Sequence, residues 1–180
     1  MPKLTDDERE GILTQDGVLM HVATVDESGA PLVTTIWFIC EEGKIYFTPR
    51  RMSEWLVHIR NEPRVSLCIT EEAAPYRKVV VRGTAEILHD LGDDDAWRDR
   101  YRRISAKYVG DDAGNTYVDT TIDQPRALCA VTLDDAEVRT WRMPVDDEAY
   151  KGIWANRYYT EDAIMNKFSE DGNKEQPKLA

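Results

Sequence analysis

Three cysteines, three histidines and no apolar run of membrane length set the first limits on this 180-residue chain. Cys40, Cys68 and Cys129 are odd in number, far apart and each set in an apolar strand-like run. A disulfide framework and a zinc site are therefore unsupported, and buried, inert thiols are expected. His21, His58 and His89 neither cluster nor keep metal-like spacing, so no metal site is expected. No segment approaches the roughly 20 apolar residues of a membrane span, and MPKLTDDEREGI lacks the basic start and apolar run of a signal peptide. A cytoplasmic protein is the expectation. Positive charge is also short: 23 Lys and Arg against 34 Asp and Glu leave a formal net charge of −11. Long-range repulsion then argues against nucleic acid or an anionic membrane as the main partner. No nucleophile elbow, cysteine-histidine pairing or HExxH motif occurs, which removes the common hydrolase readings.

Against that background, the stretch GKIYFTPRRMSEWLVHIRNEPRVSL from Gly43 to Leu67 stands out. Ile45, Tyr46 and Phe47 read as a short strand, Pro49 ends it, and Ser53 can cap a helix through Trp55, Leu56, Ile59 and Arg60. Arg50 and Arg51 then precede a helix N-terminus, where a cation is disfavoured by about 0.3 to 1 kcal/mol. A phosphate held between the arginines and the helix N–H groups reverses that sign without a glycine-rich loop.

The chain is long enough for one domain with a sizeable core. A short helix capped near Thr5 is followed by apolar runs at Val18–Val25 and Pro31–Cys40, joined by the hairpin signal DESGA, and then by Ile45–Thr48. After the Ser53 helix come strands at Arg64–Thr70 and Arg77–His89, the second interrupted at Gly83 by an expected bulge or bend. Asp93 to Lys107 is a helix with acids first and bases last, presenting Trp97, Tyr101 and Ile104 on one face. VGDDAGN reads as a link to a final long strand, Arg126–Trp141, although Asp134-Asp135 has the composition of a turn. Too few helices occur for a doubly wound sheet. A mainly β fold follows, a closed six-stranded antiparallel barrel with peripheral helices. One domain is expected over residues 1–168, with a C-terminal extension from about 142 and a disordered tail over 169–180.

GAPLVTTIWFICEEGKIYFTPRRMSEWLVHIRNEPRVSLCI followed by VVVRGTAEIL resembles the pyridoxamine 5′-phosphate oxidase-like, FMN-binding split-barrel flavoproteins over roughly Gly17 to Leu88. RYRRISAKYVG, DQPRALCAV and ANRYY are similar to the extension of one branch of that family. The resemblance implies a Greek-key split barrel that forms a homodimer, with FMN at the interface. Position by position, it implies that Thr34, Thr35 and Ile36 line the ring, Tyr46, Phe47 and Thr48 the ribityl chain, and Arg50, Arg51 and Ser53 the phosphate. The oxidase itself has Ser-Arg-Lys where this chain has Ser53, Glu54 and Trp55, so Arg50 and Arg51 are expected to supply the missing charge from upstream. Trp55 is a candidate for either core packing or the cofactor edge. Arg77, Lys78, Trp154 and Arg157 are candidates to reach the cofactor across the dimer.

With no acid-base or nucleophile constellation, the chemistry is assigned to the flavin ring, exchanging hydride at N5 with a small-molecule substrate. Pyridoxamine phosphate itself is disfavoured as substrate, since no second basic pair matches a substrate phosphate. A reductase using the deazaflavin coenzyme F-420, a non-catalytic flavin- or haem-binding module, and a cofactor-free interaction domain stay open.

Overall fold

The computed structural model describes residues 2–145. Trp154, Arg157 and the expected C-terminal extension and tail lie outside the described residues. The first helix, α1 (Asp6–Thr14), opens on a reciprocal cap: the Thr5 hydroxyl accepts from the Glu8 N–H, and the Glu8 carboxylate accepts from the Thr5 N–H. Three acids in its first turn suit the helix dipole.

The six apolar runs become nine strands, because three of them leave one sheet and enter another. β1 (Met20–Val25), β2 (Pro31–Ile36), β5 (Arg64–Thr70), β6 (Lys78–Thr84) and β9 (Glu137–Trp141) form an antiparallel sheet in the order β2-β1-β5-β6-β9. β3 (Ile39–Glu41), β4 (Lys44–Phe47), β7 (Glu86–His89) and β8 (Leu128–Thr132) form a second in the order β3-β4-β8-β7. The expected closure of one continuous barrel gives way to two sheets whose described edges stay unjoined. This is the split form of the antiparallel barrel.

Each break frees backbone groups that must find other partners. At Trp37–Phe38 the Phe38 N–H donates to the Tyr108 hydroxyl at 3.1 Å, and that hydroxyl donates to the Val18 carbonyl at 2.7 Å. At Ala85 the N–H donates to the Pro63 carbonyl at 2.8 Å. At the Asp134-Asp135 turn, Leu133 N–H donates to Gly43 and Ala136 N–H to Leu133.

Gly83 is not a bulge: it pairs in register with Val65, and the irregularity lies between Ile87 and His89. Its missing side chain serves sheet packing instead, since a Cβ would fall 2.8 Å from Val131 Cγ1 and 3.1 Å from Ala136 Cβ.

The glycine- and aspartate-rich link is also helical. α3 (Asp94–Val109) runs directly into α4 (Asp111–Thr120), turning at Gly110 with φ of 81°. Gly114 lies where α4 meets α3, and its Cβ would come within 2.9 Å of the Ala106 backbone nitrogen. Composition pointed to a loop; close helix packing is what the glycine serves.

Two apolar clusters result. Met20, Val22, Phe38, Ile45, Phe47, Leu67, Val81, Cys129 and Val131 belong to the cluster shared by the two sheets. Tyr46, Leu128 and Ala130, on the other face of the second sheet, pack with Trp97, Tyr101 and Ile104 of α3 and Val118 of α4. β8 is therefore buried on both faces, which explains its nearly unbroken apolar run.

Candidate functional site

The junction of β4 with α2 (Glu54–Asn61) forms one wall of a polar cavity of about 260 Å³. Thr48, Arg50, Ser53 and Trp55 come from that junction, and Thr35, Ile36 and Trp37 from the end of β2. Tyr101 on α3, Tyr117 on α4 and Arg126 ahead of β8 complete it. Six residues from the sequence reading, Thr35, Ile36, Thr48, Arg50, Ser53 and Trp55, thus share one cavity. Trp55 does two things, packing on Phe47 in the core while forming part of the wall.

The loop holding Arg50 is fixed by backbone contacts. Arg50 bridges Arg126, the Arg51 N–H donates to the Pro125 carbonyl, and the Ala127 N–H donates to the Pro49 carbonyl. Ser53 stands at the α2 N-cap, but its hydroxyl accepts from the Arg50 N–H at 3.0 Å and makes no bond to the helix. The side-chain cap expected from the sequence is absent.

Arg50 Nη2 donates to the Tyr117 hydroxyl at 2.7 Å, and Arg126 Nη2 reaches the same oxygen at 3.4 Å. The Arg126 guanidinium lies 4.5 Å from the Tyr101 ring centroid, a cation–π contact under burial that leaves the residue 5 % exposed. Burial opposes ionisation of Tyr117, but the neighbouring Tyr101 hydroxyl and the two guanidiniums prevail and hold its pKa below the usual phenol value. Tyr101, buried among apolar groups, is pushed up.

Charge sets this corner apart. Every other arginine among the described residues is paired with a carboxylate, whereas Arg50, Arg51 and Arg126 are not. No Asp or Glu lines the cavity, in a chain whose net charge is −11.

The remaining candidates lie elsewhere. Tyr46 and Phe47 are buried, Tyr46 under the Arg100 guanidinium at 4.0 Å and Phe47 in the core of the sheets. Thr34 pairs with Val22 within the sheet, and Arg51 is exposed outside the cavity. Arg77 is committed to Glu71 at 2.5 Å and Gln15 at 2.9 Å, and Lys78 lies over Trp141. Tyr101, Tyr117 and Arg126 were not among the sequence candidates. The available signal was an arginine opening an apolar strand in DQPRALCAV; nothing local tied it to Arg50.

Among the described residues no group of His, Cys, Asp or Glu could hold a metal ion, and no helix is long and apolar enough to cross a membrane.

A split antiparallel barrel with an unpaired cationic corner between its sheets defines the structural class. The model of the pyridoxamine 5′-phosphate oxidase family matches residues 6–141, and the chain belongs to that family. Among solved structures, a conserved hypothetical protein from Mycobacterium tuberculosis is similar at 20 % identity over 82 % of this chain and 94 % of its own, with TM-score 0.63. An F420 reductase is similar at 24 % identity over 68 % and 90 %, with TM-score 0.51. A FAD-binding protein from Mesorhizobium loti is similar at 20 % identity over 77 % and 95 %, with TM-score 0.55. No curated protein matches the chain.

Proposed function

We propose that the protein is a flavin-dependent oxidoreductase that binds FMN at a homodimer interface, with the phosphate in the Arg50–Arg126 corner. The observation that carries this reading is the set of three arginines left without carboxylates at one corner of an acidic protein. Arg50 is exposed and Arg126 buried, and a buried guanidinium without a carboxylate is costly unless an anion joins it. Arg50 and Arg126 would hold that anion, with the hydroxyls of Ser53 and Thr48 on the same wall.

At about 260 Å³ the cavity is smaller than the roughly 300 to 1,000 Å³ of a pocket enclosing a whole small ligand. It fits the phosphate end, and the rest of the cofactor would leave past Thr35 and Ile36 on the β2 edge. That edge belongs to an outward sheet face where Val33 is 62 % exposed and Ala23, Ser66 and Cys68 are small and uncharged. A second copy covering this face would exclude water from the ring and complete the site. When bound, FMN supplies hydride exchange at N5 with a small molecule. The protein's own part is to bind, orient and shield.

Two measurements test the reading. The purified protein should show flavin absorbance, or bind added FMN, and should run as a dimer; neither absorbance nor binding would sink it. Arg50→Ala should weaken FMN by about 10- to 100-fold, from about 1.5 to 3 kcal/mol per charge-assisted bond. Arg51→Ala, outside the cavity, should change affinity much less.

A further inference from the structure

A second cavity, of about 410 Å³, lies among the end of α1, β3 and the turn from α3 to α4, and it shares no lining residue with the cationic corner. Lys107 of α3 and Cys40 of β3 both line it. Lys107 is buried, and its ammonium has one hydrogen bond among the described residues, to the Leu13 carbonyl at 3.0 Å. The Phe38 ring centroid lies 3.7 Å from the same nitrogen, and no carboxylate forms an ion pair with it among the described residues. Of the charges around half-buried Cys40, Lys107 acts most strongly, ahead of Glu10, Arg9 and Glu41. Lys107 in turn feels Cys40 more than Asp16. Burial holds the ammonium at a pKa of about 8, against 10.5 for an ordinary lysine, and pushes the Cys40 thiol up. An amine that is partly free near neutral pH thus shares a cavity with a protonated thiol.

We infer that this cavity is a covalent capture site for small uncharged aldehydes, with Lys107 as the amine that forms the imine and Cys40 as the thiol that closes on it. The Lys107 nitrogen attacks the carbonyl carbon, a C–N bond forms, and the carbonyl oxygen leaves as water. The Cys40 sulfur then adds to the imine carbon while its proton passes to the nitrogen, giving an N,S-acetal between α3 and β3. No oxidant or reductant is consumed. The rest of the lining sets the class of aldehyde. Leu13 and Ile39 offer an apolar wall to a short alkyl chain, and the volume falls within the roughly 300 to 1,000 Å³ of small-molecule sites. Glu41 is held by Arg103 and Arg100, whereas Asp16 and Asp111 are exposed and have no ion pair among the described residues. An anionic aldehyde would meet those two carboxylates just as imine formation removes the Lys107 charge.

The test uses the full chain at pH 7 with propionaldehyde or glyoxylate and cyanoborohydride, which reduces an imine to a stable alkyl-lysine, followed by peptide mass mapping. Propionaldehyde should label Lys107 about 10-fold faster than exposed Lys3. The roughly 300-fold excess of free amine over an ordinary lysine is the upper limit, reduced by slower access to a buried group. In urea-unfolded protein the advantage should vanish. Glyoxylate should label Lys107 no faster than Lys3. Without reductant, propionaldehyde should leave a cross-link between Lys107 and Cys40 that survives gel filtration. Cys40→Ser should lose the cross-link and keep the reductive labelling of Lys107. Folded protein in which propionaldehyde labels Lys107 no faster than Lys3 would overturn the capture site. Equal preference for glyoxylate would overturn the aldehyde class, and a wild type without the cross-link would overturn the part given to Cys40.

Discussion

Gly114→Ala sets two principles against each other with opposite signs. Alanine is favoured over glycine inside a helix by about 1 kcal/mol, so propensity alone predicts a more stable protein. Packing predicts the reverse. The new methyl would fall 2.9 Å from the Ala106 nitrogen and 3.1 Å from its Cα and from the Ser105 carbonyl carbon, all backbone atoms of α3. A flexible side chain could swing aside; a helix backbone cannot, so α3 and α4 must separate. Overpacking costs about 1 to 3 kcal/mol, and contact with backbone places this site near the upper end. The net loss is then about 1 to 2 kcal/mol, a fall in melting temperature of about 2 to 8 °C for a domain of this size. Because Tyr117 lies one turn beyond Gly114 on α4, the same separation should lengthen its bond to Arg50. Thermal unfolding followed by circular dichroism is the assay. An unchanged or raised melting temperature would refute the packing account and leave propensity in charge.

Lys107 is 9 % exposed, its ammonium donates to the Leu13 carbonyl at 3.0 Å, and burial lowers its pKa from 10.5 to about 8. The unfolded chain therefore binds more protons between those values, so wild type should gain stability relative to Lys107→Met as pH rises through that window. The limit is about 3 kcal/mol, and roughly half that after solvent screening, read from urea melts at several pH values. Glu41 accepts from Arg103 at 2.7 and 2.9 Å and from Arg100 at 3.2 Å, and the Arg103 bonds hold its pKa below 4.5 despite the opposing effect of burial. Glu41→Gln should cost about 1 kcal/mol above pH 4.5 in urea unfolding, a deficit that disappears as pH falls through the depressed value. Burial pushes the Cys129 thiol up to about 12, so iodoacetamide at pH 8 should label it far more slowly in the native than in the unfolded protein, as peptide mass mapping would report.

Much of the fold was legible because its signals are local. The Asp26–Ala30 hairpin turn is held by the Asp26 carboxylate accepting from Ser28 and Ala30, with Gly29 at φ of 85°, as the DESGA composition implies. The six apolar runs were visible for the same reason. Their breaks were not, apart from the turn composition of Asp134-Asp135, since Trp37–Phe38 and Ala85 are as apolar as the strands they divide and their backbone partners, Tyr108 and Pro63, are distant in sequence. Gly83 and Gly114 misled in one way. Each reads as a bend or a linker, yet each serves close contact with an element elsewhere in the chain.

At the cationic corner the division is sharper. By itself the sequence determined the family, the β-rich order of elements and two arginines ahead of a helix, because these depend on spacing along the chain. Only the tertiary structure decided that Arg50 lines a cavity while its equally exposed neighbour Arg51 does not, and that Arg126 pairs with Arg50 across a β-bridge rather than lying in an unrelated strand. The physical reason is that a guanidinium's role depends on its partners in space. Whether a carboxylate, a phenol or an open cavity faces it is set by how the sheets and the α3–α4 pair pack.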